Sequence, residues 1–380
     1  MALFTTFFMG GYECADHINR SGERVNLLKE TQHDTRVEED YEALSALGIK
    51  TVREGICWSD VEKYPHTFDF SGVHQRMIAA EKYGIQQIWD LIHFGYPDGL
   101  FPTHPQFCKR FEALCEAFVT FYNEHAKQAL FVVPINEISF LSWHSGDVRG
   151  TVPFAVNSGW DIKYHLCKAA IIGIKKMKQI DPDCRIILVE PLIKIHANLN
   201  QDIEKVKEVD ENQFQAMDII AGRMCPELGG KETFLDILGF NYYWNCQWIL
   251  DGEPLQWPET TIKQRVSLSS LLEKAYHRYK KPLFLSETGH FGNSRIKWLE
   301  EITSECLLAQ KKGVDLRGIC IYPVTDRPDW DDLTSYCNCG IWDLDEFGNR
   351  IPYHDYINAL KQSQSVFNDS EKKSLIIEFL

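Results

Sequence analysis

The 380-residue chain carries 54 acidic against 40 basic side chains, a formal charge of −14, which argues against nucleic acid and anionic membrane surfaces as partners because both select a basic face. Hydrophobic content of 44% and charged content of 25% are ordinary for a soluble globular protein with room for one large domain or two average ones. Twelve cysteines without any Cys-x-x-Cys, several inside apolar runs, read as reduced residues of a cytoplasmic protein, and Cys337-Asn338-Cys339 has no second pair nearby to complete a zinc site.

The N-terminal Met1 to Phe8 is apolar but lacks a basic segment and a cleavage site, so it reads as the approach to a first strand rather than a signal peptide. From there short apolar runs alternate with helix-period segments. Strands are expected at Phe7 to Glu13, Lys50 to Trp58, Ile85 to His93, Leu130 to Glu137, Arg185 to Glu190, Phe234 to Tyr243, Pro282 to Glu287 and Leu316 to Val324. Helices are expected at Glu38 to Gly48, Ser71 to Tyr83, Phe107 to His125, Trp160 to Ile180, Asn212 to Gly222, Leu268 to Tyr279, Arg295 to Lys312 and Tyr353 to Gln362. Eight alternations argue for a single (β/α)8 TIM barrel over 1–380. A doubly wound sheet would carry a Gly-rich phosphate loop after its first strand, and Phe8-Met9-Gly10-Gly11-Tyr12 lacks that spacing. No run of 18 apolar residues is present. Residues 363–380 turn from polar to apolar and are expected to form a C-terminal tail, with Leu375 to Leu380 packing on the body or on a partner.

In such a barrel the C-terminal strand ends carry the chemistry. They deliver Glu13 and His17, Arg53 and Trp58, His93, Asn136 and Glu137, Asn241 with Tyr242 and Tyr243, Glu287, and Tyr322 followed by Asp326, Asp329 and Trp330. Carboxylates and amides take hydroxyls and aromatics stack on pyranose faces, so the set suits a small carbohydrate. No Gly-x-Ser-x-Gly and no His-Glu-x-x-His is present, and no metal or cofactor is expected. Glu137 and Glu287 remain as the chemical pair, on strands four and seven of the ring. Carboxyl groups about 5–5.5 Å apart would make a retaining enzyme, and about 6.5–9.5 Å an inverting one.

At these residues the chain resembles glycoside hydrolase family 1, within clan A of the retaining glycosidases, as a divergent member. The family's segments have counterparts in order: Arg53-Glu54-Gly55-Ile56-Cys57-Trp58, Ile92-His93-Phe94-Gly95-Tyr96-Pro97, Pro134-Ile135-Asn136-Glu137-Ile138, Asn241-Tyr242-Tyr243, Ser286-Glu287-Thr288-Gly289, and Tyr322 through Trp330. The resemblance implies that Glu137 is the general acid/base and Glu287 the nucleophile. It further implies that Arg53 and Tyr243 keep Glu287 ionised, that Asn136 holds the sugar 2-hydroxyl, that Asn241 belongs to the substrate-binding set, that His93 and His17 read other hydroxyls, and that Tyr322 and Trp330 stack on the sugar. Three positions depart from the family: His17 replaces Gln, Tyr322 replaces Trp and Asp329 replaces Glu.

The resemblance also implies a cis Tyr322–Pro323 peptide and a small β-glucoside- or β-galactoside-like substrate. Asp329-Trp330 matches the branch that takes unphosphorylated sugars, whereas Arg327 suits an acidic substituent. A transglycosylase using the same two carboxylates and a catalytically silent carbohydrate-binding barrel are the competing functions.

Overall fold

The computed structural model describes residues 3–198, 201–258 and 264–378, with side chains up to residue 368. Eight parallel strands close into a barrel: β1 (Phe8–Gly11), β2 (Thr51–Gly55), β3 (Gln86–Asp90), β4 (Phe131–Val133), β5 (Arg185–Pro191), β6 (Ile237–Asn241), β7 (Leu283–Thr288) and β8 (Leu316–Ile321). Ring order follows chain order, and β1 pairs with both β2 and β8.

The strands are buried on both faces, which is why they read as apolar runs rather than alternating ones. Their period of two still sorts the side chains. Met9, Ile88, Phe131, Val133, Ile187, Val189, Ile237, Phe284 and Cys320 fill the barrel interior, and Phe4 closes its N-terminal end against Phe131 and Phe284 at 5.7 and 5.1 Å between ring centroids. The intervening positions face the helices. Residues 1 and 2 of the apolar N-terminus lie outside the described residues.

Around the barrel run α1 (His33–Ala46), α2 (Ser71–Tyr83), α3 (Phe107–His125), α4 (Ile138–Gly146), α5 (Gly159–Ile180), α6 (Leu268–Tyr279), α7 (Ser294–Lys311) and α8 (His354–Glu378). The α2 helix stops where Gly84 turns left-handed at φ 66° and its N–H returns to Ala80 and Glu81. The α3 stripe of Phe111, Leu114, Cys115 and Phe118 is fully buried.

Three segments differ from expectation. Residues 212–222 begin as a 3-10 turn at Asn212–Phe214 before the short helix Gln215–Ile220, and a helix at Ile203–Glu211 precedes them. The α4 helix follows strand four directly and carries no clear apolar period, so only the structure reveals it. Residues 363–378 continue α8 instead of forming a separate tail, because neither Gly nor Pro interrupts them. Thr303 donates to Ser363 at 3.1 Å, and Phe367 stacks on Phe7 at 4.3 Å. Residues 379 and 380, the end of the expected Leu375 to Leu380 contact, lie outside the described residues.

Phe367 is buried to 2% beneath β1, so Phe367→Ala should destabilise the fold by about 3–5 kcal/mol. Chemical unfolding of the variant against the parent measures this, and an unchanged midpoint would mean that α8 does not dock there.

Among the described residues no helix is long and apolar enough to cross a membrane, and all twelve cysteines are free.

Candidate active site

The strand period that fills the barrel also builds its mouth. Arg53 on β2, Asp90 on β3, Asn241 on β6 and Ser286 on β7 share the inward parity of the core residues below them. Tyr322 leaves β8 on the same side, and Gly11 makes room for it: a Cβ there would fall 2.2 Å from the tyrosine ring. The Tyr322–Pro323 peptide is cis.

Arg53 is the hub. Its Nη1 donates to Glu287 Oε1 and to the Ser286 carbonyl, both at 2.8 Å, and its Nη2 donates to Asp90 Oδ2 at 2.5 Å and Asn136 Oδ1 at 3.1 Å. Burial alone would work against its charge, but Asp90 and Glu287 outweigh this and hold it cationic. Glu287 receives a second donor, the Tyr243 hydroxyl, at 2.8 Å on Oε2. Burial and then the Glu287 charge push the Tyr243 hydroxyl well above the usual phenol range, so it stays a donor.

Glu137 has the opposite environment. It stands at φ 48°, ψ 57°, a left-handed residue between β4 and α4, a backbone cost of order 1–3 kcal/mol that the surrounding structure holds in place. Among the described residues its one side-chain donor is the neutral Asn241 amide at 2.9 Å. Burial first, and then the Glu287 charge, raise its pKa well above the usual carboxylate range, against the Asn241 bond. One carboxylate is therefore tied to a cation while the other is poised to hold a proton, the pattern that separates acid from nucleophile roles.

His93 extends the network, with Nδ1 2.9 Å from Asp90 Oδ2 and Nε2 3.2 Å from the Tyr322 hydroxyl. Burial opposes its protonation, but the Asp90 bond and the Glu13 and Glu287 charges raise its pKa overall. Cys14, Asp90 and His93 bring three potential metal-ligand atoms within 4.8 Å of one another. Asp90 Oδ2 is already shared by His93 and the Arg53 cation, a poor setting for a second cation.

Eight of the expected residues thus gather in one network: Arg53, His93, Asn136, Glu137, Asn241, Tyr243, Glu287 and Tyr322. His17 and Trp330 form a neighbouring pair, with ring centroids 4.6 Å apart. His17 is buried, which lowers its pKa to about 3 and keeps it neutral, and among the described residues neither its Nδ1 nor the Trp330 indole N–H has a partner. Asp329 stands apart: it is exposed, and its Oδ1 accepts from the Asp331 N–H at 2.9 Å. Trp58 is a core residue whose indole donates to Glu62 at 2.6 Å, and Trp143 and Trp160 are half-exposed.

Arg327 reaches Glu13 Oε2 at 3.1 Å and lies over the Trp330 ring. Glu13 also accepts from the Cys14 and Ala15 N–H groups and from Tyr322 at 3.3 Å. Glu13 belongs to the site as a strand-end residue to which the sequence assigns no role, and Asp90 and Ser286 are members that the sequence-based set omits. Asp90 shares parity with Ile88, and that period is the signal by which it is found.

Replacing Arg53 by alanine should cost about 3–5 kcal/mol, because the buried carboxylates of Asp90 and Glu287 would lose the cation they share. Urea unfolding checks this, and a loss below about 1 kcal/mol would contradict the hub role.

Comparison with known proteins agrees with this fold. The 6-phospho-beta-glucosidase of Clostridium longisporum is 22% identical over 77% of this chain and 75% of its own length. The aryl-phospho-beta-D-glucosidase BglA of Bacillus subtilis strain 168 is 24% identical over 82% of this chain and 76% of its own. Among solved structures, a beta-glucosidase from Thermotoga maritima in complex with glucoimidazole superposes with a TM-score of 0.75 at 15% identity, covering 94% of this chain and 98% of that one. Its complex with deoxynojirimycin gives 0.74 at 16% identity, over 95% and 99%. No family model matches the chain.

Proposed function

We propose that the chain, a glycoside hydrolase acting on O-glycosyl bonds and similar to family 1 as a divergent member, is a retaining β-glycosidase working by double displacement across Glu137 and Glu287. The observation that carries this is the asymmetry of the pair. Glu287 accepts from Arg53 and Tyr243, each at 2.8 Å, whereas among the described residues the one side-chain donor to Glu137 is the Asn241 amide, and Glu137 is pushed toward its protonated form.

In the first step Glu287 attacks the anomeric carbon. The bond to the glycosidic oxygen breaks as Glu137 gives that oxygen its proton, and the aglycone leaves as a neutral alcohol or phenol. Glu137, now a carboxylate, then takes a proton from water, whose oxygen displaces Glu287 and regenerates both residues. Asn136 Oδ1 is held by Arg53, and its buried Nδ2 has no partner among the described residues. That amide is the donor for the sugar 2-hydroxyl, a contact that strengthens toward the transition state. His93 and Tyr322 line the same side of the mouth as hydroxyl readers, with Trp330 and His17 beyond them.

The substrate we assign is a small β-glucoside or β-galactoside. A sugar phosphate is the second reading, favoured by the names of the two curated relatives and by the Arg327 cation at the rim. Glu13 already neutralises that cation, so the unphosphorylated sugar is preferred. Partition between water and another acceptor decides between hydrolysis and transglycosylation. Twelve free cysteines fit a reducing, cytoplasmic setting.

A panel of aryl β-glucoside, β-galactoside and their 6-phosphates tests the reading. Turnover of an unphosphorylated glycoside is expected. Turnover of the phosphates alone would move the assignment to the second reading, and turnover of none would overturn the exo-glycosidase proposal.

A further inference from the structure

A third carboxyl group lies behind the proposed pair. Glu190 sits at the end of β5 on the parity of Leu188, which faces the helices, opposite to the inward Ile187 and Val189. It is 3% exposed. Both its oxygens accept from the Ser139 N–H, at 3.1 and 3.3 Å. That N–H belongs to the first turn of α4, an otherwise unsatisfied donor at the positive end of a helix. One residue earlier in β5, the Val189 carbonyl accepts the Glu137 N–H at 3.0 Å. Two consecutive residues of β5 therefore grip the backbone on either side of the Glu137 side chain.

We propose that Glu190 is a positioning residue for Glu137: its carboxylate fixes the left-handed turn that aims Glu137 into the mouth, and its negative charge strengthens the hold of Glu137 on the catalytic proton. The inference rests on the acid/base assignment above. Glu190 faces away from the sugar, so it acts through Glu137 and not on the substrate.

Burial lifts the Glu190 carboxyl to about 7, against the Ser139 bonds and the Lys163 charge. The groups that face it are Lys163 and Cys167 on α5, Ser139 on α4, and Glu137. Lys163 spends a hydrogen bond on Gln215 at 2.9 Å instead of pairing with Glu190. Glu137 in turn faces Glu287, Asn241 and Arg53, with Tyr243 and Cys246 near it. As pH rises through about 7, Glu190 gains its charge behind Glu137, whose carboxyl burial and the Glu287 charge already hold well above the usual carboxylate range. A like charge raises a neighbouring carboxyl pKa, so the alkaline limb of the activity profile is held at higher pH than Glu137 alone would give.

The test is the pH profile of kcat/KM for Glu190→Gln and Glu190→Ala. Gln still accepts the Ser139 N–H but carries no charge. It should keep kcat near the parent value at acid pH while its alkaline limb moves down by about half to one pH unit. Ala removes the grip as well and should lower kcat about tenfold at every pH with KM little changed. An alkaline limb unmoved in Glu190→Gln would overturn the inference, as would Gln and Ala variants equally impaired at all pH values. Glu137→Ala and Glu287→Ala measured alongside separate the two levels. If both lose turnover by the large factors expected of a catalytic pair and the Gln limb is unmoved, only the Glu190 role fails; if either keeps parent turnover, the pair assignment itself fails.

Discussion

Glu287→Ala is expected to lower kcat by about 10^4-fold or more, the scale seen when a covalent nucleophile is removed from a group that works as a unit. The loss should not come from misfolding. Glu287 is buried to 5% and pairs with Arg53, so its removal leaves that cation with Asp90 and Asn136 as remaining side-chain partners. Azide added to the variant should occupy the vacated space and attack the anomeric carbon once, giving an α-glycosyl azide from a β-glycoside. A β-azide, or no rescue with an intact fold by circular dichroism, would place the nucleophile elsewhere.

Glu137→Ala is expected to fall by about 10^2- to 10^4-fold, the range for loss of general acid–base catalysis, and the loss should depend on the leaving group. A nitrophenolate leaves without a proton, so its glycoside should form the covalent intermediate at near-parent rate and then stall, because no base remains to activate water. An alkyl glycoside needs the proton and should be almost inert. The alkaline limb of kcat/KM should also vanish, because Glu137, held protonated by burial and by the Glu287 charge, is the group that titrates there. A uniform loss across leaving groups, or a retained limb, would show that Glu137 supports the site without donating the proton.

The barrel and its central pair were readable because two periodicities pointed the same way. Apolar runs located the strands, and each candidate carboxylate stood at the end of one. Asn241, Tyr243 and Arg53 were readable for the same reason. What escaped is chemistry that depends on the third dimension. Asp90 lies inside a strand, and only its parity with Ile88 turns it toward Arg53. Glu13 stood at a strand end, but its importance comes from Arg327, 314 positions later in the chain and 3.1 Å away in space. Glu190 reads as the close of an apolar run, and its meaning arises only where α4 begins over it. Asp329 shows the reverse: gapless alignment put it in the sugar-binding set, yet the loop turns its carboxylate to solvent and satisfies it locally. The continuation of α8 was missed because the polar residues after Gln362 were taken for the end of the helix, when Phe367 anchors that turn against Phe7.

The central claim is a covalent glycosyl intermediate on Glu287, and peptide mapping after reaction with a 2-fluoro aryl β-glycoside tests it most directly. The fluorine disfavours the positively charged transition states of both steps, and the activated aryl leaving group restores the first, so the intermediate accumulates. The account predicts one fluoroglycosyl group per chain on the peptide that carries Ser286-Glu287-Thr288, absent in Glu287→Ala; a label on any other residue, or none while the parent glycoside is turned over, would contradict it.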